Sequence, residues 1–398
     1  MAATSLGPAY HRLWWATALS NLGDGIRAAA LPLLAAALTK DPVAVAGVAI
    51  AGQSPWLIFG LFAGGVVDRF DRRRLTVLVD VARVTLLVAL VVALSLGIAG
   101  IAMVYAVAFF CGIGETLRDT ATVTLLPPLV NDADLDRANG GLVNAEVAGN
   151  ELVGPPIGGY LFGVAMVLPF AINGGTLALA AALIFSLPNI FTPKPRSAAR
   201  KGQLWRDTLE GLRWLTRHRH LRLLLILAGL FALMDSAWFA ILVLYVPQIL
   251  GLPEWGYGVL LGVGAIGGLA GGYFAARITR SIGSTAALTT CLASAALGQL
   301  MLGVTTSAIV AALGLALTSA AFGVWAVVAR TLRQRLTPPE LLGRVSSASM
   351  TVGMGAAPLG ALIGGLLAAQ WGLTAPILAG VPVLAACALI CALRLRAN

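Results

Sequence analysis

Charge is scarce in this chain of 398 residues. Asp, Glu, Lys and Arg make up 11% of it, against 59% hydrophobic residues, and the mean hydropathy is +0.89. A water-soluble fold cannot cover so much apolar surface, so the bilayer is the expected solvent. Ten-residue stretches of alternating polarity are missing, which argues against a transmembrane β-barrel. Histidine is almost absent, and the pair His218 and His220 sits in a basic loop with no ligand-spaced companions, so no metal site is expected. The four cysteines, Cys111, Cys291, Cys387 and Cys391, all fall in apolar runs and read as small core residues. No phosphate-cradling glycine loop of an ATP-driven motor occurs, and no nucleophile, metal or phosphate constellation points to a membrane enzyme. No cofactor is expected.

What the chain does have is apolar length. Crossing the hydrocarbon takes about 20 apolar residues, and roughly twelve such runs follow one another, separated by Gly, Pro or charge. They begin near Leu13, Val43, Leu75, Ile101, Ala138 and Met166, then near Leu223, Tyr257, Thr285, Ser307, Val345 and Leu373. The first, preceded by Arg12, reads as an uncleaved span and not as a signal peptide, because so many spans follow. The net charge of +10 is concentrated in alternate loops: Arg69 to Arg74, Lys194 to Arg222, Arg277 to Arg280, Arg330 to Arg344, and Arg394 with Arg396. Lys40 is the clear exception. This positive-inside pattern puts both termini in the cytoplasm, and scattered loop charges do not form a nucleic-acid surface.

The two halves echo one another. "GGVVDRFDRR" is followed at constant offset by "GGYFAARITR", pairing Gly64, Arg69 and Arg72 with Gly272, Arg277 and Arg280. "LLPPLV" is echoed by "LTPPEL", and "LGDG" around Asp24 by "LMDS" around Asp235. The reading is an all-α integral membrane protein with an N-terminal six-helix bundle over 1–191, a cytoplasmic linker over 192–222 and a C-terminal six-helix bundle over 223–398, with substrate handled near the midplane. In the linker, Trp205, Leu209, Leu212 and Leu215 recur at helical spacing. They fit an amphipathic helix on the membrane surface or a plain basic linker about equally.

Several motifs carry a family resemblance. Gly64, Asp68, Arg69, Arg72 and Arg73, together with the twelve spans and the weak second-half repeat, resemble the loop between helices two and three of the major facilitator superfamily. The resemblance implies that this loop steadies one conformation of a rocking bundle, with Asp68 at a helix N-terminus and the arginines on neighbouring acids. The family usually has Gly at position 71, and Asp71 is expected to keep the turn because Asp tolerates left-handed conformations. "GPPIGG", with Gly154, Pro155, Gly158 and Gly159, looks like the helix-five signature of exporters in this superfamily. Gly141 fits the fuller pattern and Asn150 departs from it. Small residues there allow close helix approach, and Pro155 and Pro156 are expected to bend the helix. "GVGAIG" from Gly262 mimics a dinucleotide fingerprint but follows no strand, so Gly264, Gly268 and Gly272 read as a packing face.

Mid-membrane charges mark function by default. An acid followed three residues later by a base occurs in three spans: Asp24/Arg27, Asp80/Arg83 and Glu115/Arg118. Partners three apart share a helix face, so each pair is expected to close locally, with Asp80/Arg83 supporting the Asp68 loop. Asp24 and Arg27 are expected to line a partly hydrated cavity in which Asp24 titrates. Glu146 and Glu151 precede the Gly-Pro segment, and Asp235 has no local base. The resemblance is strongest to the bacterial branch of macrolide-efflux proteins and enterobactin-type siderophore exporters. It implies proton-coupled export of an amphipathic drug or secreted metabolite across a bacterial plasma membrane by a monomer. An importer of a small nutrient and a non-transporting sensor on the same scaffold remain open alternatives.

Overall fold

The computed structural model describes residues 6–67, 70–131, 134–188, 213–338 and 341–395, and among these residues all regular structure is helical. The helices are α1 (Pro8–Leu38), α2 (Pro42–Val67), α3 (Arg72–Ser95), α4 (Ile101–Leu125), α5 (Leu135–Val147), α6 (Gly154–Val164) and α7 (Leu168–Phe185), then α8 (Arg219–Phe239), α9 (Leu242–Gln248), α10 (Glu254–Ile282), α11 (Ser284–Val304), α12 (Ala308–Leu336), α13 (Leu342–Trp371) and α14 (Ala375–Arg394). A π-helical turn, Ala148–Val153, joins α5 to α6. Ten helices are long and apolar enough to cross a membrane by length and composition alone. Two more runs have the length. One is α1, with 31 residues, whose polar stripe lowers its hydropathy. The other is the α5–α6 run, interrupted by the π turn. The chain is thus an all-helical membrane protein, and each expected apolar run has a helix starting within a few residues of it, α6 and α9 being the helices with no run of their own.

Helix ends follow local chemistry. The Asp71 carboxylate accepts the Arg74 amide at 3.1 Å and caps α3. Its φ is −59°, so the left-handed turn expected at this position is not used, and Asp replaces Gly here as a cap. Gly283 does need its freedom. At φ +82° it turns the chain from α10 into α11 within a single residue.

By contact the chain parts into two compact units. Unit one comprises Met1–Thr39, Ala51–Ser197 and Pro253–Val259, and unit two comprises Lys40–Ile50, Ala198–Leu252 and Leu260–Asn398. In unit one, α1 packs against α6 and α7, and α3 packs against α4 and α7. Its α1–α6 seam is built of bare backbone. A methyl group on Gly25 would strike the Gly149 carbonyl, and one on Gly158 would strike the Ile26 carbonyl. "GPPIGG" is therefore a packing surface for α1, as its small residues implied. Gly159 approaches Gly258 in the same unit.

The departure from regular winding lies just before the prolines. Pro155 and Pro156 occupy the opening of α6, where a missing amide costs little. The irregularity is the π turn just before them, which accommodates the hydrogen bonds that two prolines cannot donate.

Unit two has a similar seam. Gly267 and Gly271 of α10 meet the backbone of Ala316 and Ala320 on α12, and Gly323 meets Gly268 and Gly272 in return. Of the expected face, Gly264 points at Ser319 and Leu315, whereas a methyl group on Gly272 would meet open space; the closest contacts of the seam belong to Gly267 and Gly271. Behind it lies an apolar core of Leu227, Phe231, Leu292, Trp325, Val328 and Leu384. Of the expected linker helix, Trp205, Leu209 and Leu212 lie outside the described residues. Leu215 is described, and it is buried against Leu221, Val345 and Ala348, not laid on a membrane surface.

Overpacking a backbone seam costs about 1–3 kcal/mol. Gly158→Val should lower the thermal midpoint of the purified protein in detergent, whereas Gly163→Ala, which meets open space, should not. Equal midpoints for the two variants would refute the seam.

Candidate functional site

Polar side chains in unit one gather where α1, α3 and α4 meet. On α1, Thr17, Ser20, Asn21, Asp24 and Arg27 recur at spacings of three and four, so they form one stripe, and all five are buried. α3 adds Asp80 and Arg83, both buried, and α4 adds Glu115 and buried Arg118.

The charges do not pair as their spacing suggested. Each base crosses to an acid on another helix. Arg83 of α3 bonds to Asp24 of α1. Arg27 of α1 reaches Glu115 of α4 at 2.8 Å. Arg118 of α4 grips both carboxylate oxygens of Asp80 on α3, at 2.9 and 3.1 Å. Two of the local pairs survive only as longer secondary contacts: Arg27 to Asp24 at 3.3 Å and Arg83 to Asp80 at 3.9 Å. The reason is geometric. A helix-bound Arg is long enough to span to a neighbouring helix, and in a dry interior a planar guanidinium favours the acid it can meet squarely.

Asp80 is accordingly a partner of Arg118. Asp68 and Arg69 themselves lie outside the described residues. Asp24 receives Arg83, Arg27 and the Ser20 hydroxyl, the last at 3.4 Å, and its residue is only 4% exposed. It is thus enclosed by its partners and does not face an open cavity.

Smaller residues make the crossing possible. A methyl group on Gly114 would meet the Arg83 stem at 2.6 Å, so this glycine gives the arginine its path. Arg118 also donates to the Ala16 carbonyl at 3.0 Å, tying the network to the α1 backbone. Asn150, where the exporter pattern has Gly, donates to Asn21 Oδ1 at 2.8 Å and fastens the π turn to the polar stripe. Asn173 of α7, fully buried, donates to the Gly23 carbonyl.

One member differs from the rest. The Glu115 side chain is 24% exposed, whereas Asp24, Arg27, Asp80, Arg83 and Arg118 lie between 0% and 8%. Asp119, four residues on, shares its helix face. Sequence reasoning passed over Asp119 because it forms no acid-then-base pair. The i, i+4 spacing from Glu115 was the available signal.

The remaining candidates fall elsewhere. Glu151 is exposed on the π turn. Asp235 sits on α8 in unit two and meets no base in an ion pair among the described residues. Gly64 lies in the last turn of α2. Arg72 donates to the Thr124 carbonyl at 3.2 Å, and Arg73 lies over the Phe185 ring at 5.0 Å where an acid was expected. Arg277 and Arg280 close α10, and Arg280 donates to the Ala276 carbonyl at 3.3 Å. Among the described residues no group of His, Cys, Asp and Glu could hold a metal ion.

Comparison with known proteins agrees with this architecture. The model of the transmembrane secretion effector family matches residues 4–398. The multidrug efflux pump Tap of Mycobacterium tuberculosis is 31% identical, covering 100% of this chain and 95% of the pump. Its namesake in Mycolicibacterium fortuitum is 27% identical over 95% of this chain and 93% of its own length. Among solved structures, the nucleoside transporter NupG superposes with a TM-score of 0.80 at 10% identity, covering 98% of this chain and 100% of that one. A bacterial homologue of the iron transporter ferroportin in its inward-facing state gives 0.76 at 18% identity, with coverages of 98% and 100%. These two structures speak to the fold alone. The chain belongs to the transmembrane secretion effector family of major facilitator superfamily transporters.

Proposed function

We propose that this transporter is a proton-coupled exporter of an amphipathic organic molecule, a drug or a secreted metabolite such as a siderophore, working by alternating access. One observation carries the coupling. The charge network holds three acids and three bases, and Glu115 is its exposed edge. A proton arriving there neutralises the partner of Arg27. The freed guanidinium then turns to Asp24, already 3.3 Å away, while Arg83 and Arg118 keep their acids. Glu115 with Asp119 is therefore the proton-accepting edge, and Asp24 is the hub that receives the displaced base. Protonation and substrate bias the same conformational equilibrium, which is what antiport requires.

The export direction is supported by likeness to the Tap pumps and by the "GPPIGG" seam against α1. A greasy substrate suits spans made chiefly of Ala, Leu, Val and Gly. Basic loops facing the cytoplasm place both termini there, in a bacterial plasma membrane. The protein is expected to act as a monomer.

The assay is dye and macrolide accumulation in efflux-deficient bacteria, paired with substrate exchange in proteoliposomes. The wild type should lower accumulation, and a protonophore should abolish that effect. Glu115→Gln and Asp24→Asn should both lose uphill export. Glu115→Gln should keep substrate-for-substrate exchange, which needs no proton. Uphill export undiminished in Glu115→Gln would sink the coupling assignment, and accumulation equal to the empty vector would sink broad drug export.

Stability should rank by enclosure. Removing one partner of a buried pair costs about 3–5 kcal/mol because the other charge is stranded. Arg83→Ala and Arg118→Ala should therefore lower the thermal midpoint more than Arg27→Ala, whose stranded acid Glu115 reaches solvent. The reverse order would show that the network is not organised around Asp24 and Asp80.

A further inference from the structure

The second-half echo at Gly272, Arg277 and Arg280 plays no part in the coupling scheme, yet it borders a cavity. The α10–α12 seam depends on glycine: Gly264, Gly267 and Gly271 on one side and Gly323 on the other. Beyond Gly272 and Gly323 neither helix contains another glycine. Side chains now stand between the backbones, and a wedge of about 470 Å³ opens toward the C-terminal ends of both helices.

Its lining has two characters. Ala276, Val327, Val328 and Leu332 are apolar, while Arg280 and Arg335 stand with the hydroxyls of Thr279, Ser284 and Thr331. Neither arginine meets a carboxylate among the described residues. Ser284 is also the first residue of α11, a helix of 21 residues whose N-terminus carries no side-chain cap. Its opening amides add donors and a positive dipole end to the same wall. The Thr279 and Thr331 hydroxyls donate to the Ala275 and Val327 carbonyls, and Arg280 Nε to the Ala276 carbonyl, so the donors left for a ligand are the remaining guanidinium N–H groups, the Ser284 hydroxyl and the uncapped N-terminus. With no carboxylate on either arginine among the described residues, they select an anion with several acceptor oxygens.

The apolar share of the lining indicates where that anion comes from. One turn before Ala276 on the same α10 stripe stands Tyr273, 81% exposed, with Phe274 beside it, and Val327 is open on α12. In a membrane protein such surface meets acyl chains. We infer that the wedge between α10 and α12 binds the phosphate group of an anionic phospholipid, with Arg280 and Arg335 as its ligands and the acyl chains lying along the Tyr273 and Val327 faces. Uncharged or zwitterionic lipids lack the net charge to balance two arginines. Inorganic phosphate shares the headgroup chemistry but would leave the apolar wall unused.

The test titrates the purified full-length protein, in neutral detergent, with phosphatidylglycerol or phosphatidylcholine and counts retained lipid by native mass spectrometry. The wild type should retain phosphatidylglycerol in preference to phosphatidylcholine. The double variant Arg280→Gln/Arg335→Gln should weaken phosphatidylglycerol binding about 30-fold, from roughly a fivefold contribution per arginine near a phosphate. Arg217→Gln, an exposed arginine outside the cavity, should bind as the wild type does. Thr331→Leu fills the wedge while keeping both charges, and it should lose the lipid too, so the proposal can be read even where the double variant is not monodisperse. Equal retention of the two lipids by the wild type overturns the proposal, as does undiminished phosphatidylglycerol binding in Thr331→Leu or the double variant. Millimolar inorganic phosphate that raises the wild-type melting temperature without any lipid preference would assign the wedge to a soluble anion instead.

Discussion

Crossed pairing of charge holds unit one together. Had each helix closed its own acid–base pair, the mid-span charges of α1, α3 and α4 would be satisfied within each helix, leaving it free to slide past its neighbours. Instead, each of the three network arginines answers to a carboxylate on a different helix, through Arg83 to Asp24, Arg27 to Glu115 and Arg118 to Asp80. No helix can shift or rotate without stranding a charge in a low-dielectric interior, and that is costly. The rest of the site follows. Gly114 has no side chain because Arg83 passes it, and Arg118 reaches as far as the Ala16 carbonyl because its head is already fixed on Asp80. A network so tightly bound can respond to a proton only at its edge, which gives Glu115 its importance.

The two units divide the physical work differently. The crossed ion pairs lie in unit one, and unit two has an apolar core around Phe231, Trp325 and Leu384. Both use glycine seams, α1 on α6 in one and α10 on α12 in the other. Backbone contact of this kind supplies dispersion without a hydrophobic driving force, which lipid does not offer between helices. The echoes between the halves thus record a shared packing problem more than a shared chemistry. Asp235, the echo of Asp24, meets none of the bases of the described residues in an ion pair, unlike its counterpart.

Much of this was legible in the residues. Runs of apolar length marked the spans, because the hydrocarbon sets a minimum that few soluble helices reach. Small residues at Gly154 and Gly158 announced a close approach, though not its partner, α1. The charged residues of the network were also visible as anomalies in apolar runs. Their partners were not, since spacing along one helix says nothing of which helix lies opposite. The same limit concealed Asp119, whose meaning comes only from sharing a face with Glu115. At Asp71 the residue type admitted two roles, a left-handed turn or a cap, and only the backbone angle chose between them. The π turn left no compositional trace beyond the two prolines after it.

That π turn also bears on how the helix could tolerate insertions and deletions. A π turn spends one residue more than an α-helix needs to cover the same rise, and each residue turns the chain by about 100°. Losing one residue within Ala148–Val153 would let the segment rewind as regular α-helix over the same rise, so Gly158 would stay against Ile26 at the cost of the turn's own contacts, such as Asn150 to Asn21. Losing one residue from the regular winding of α6 would instead swing everything after it by that angle. The π turn is therefore the place where this span can give up a residue without re-aiming its second half.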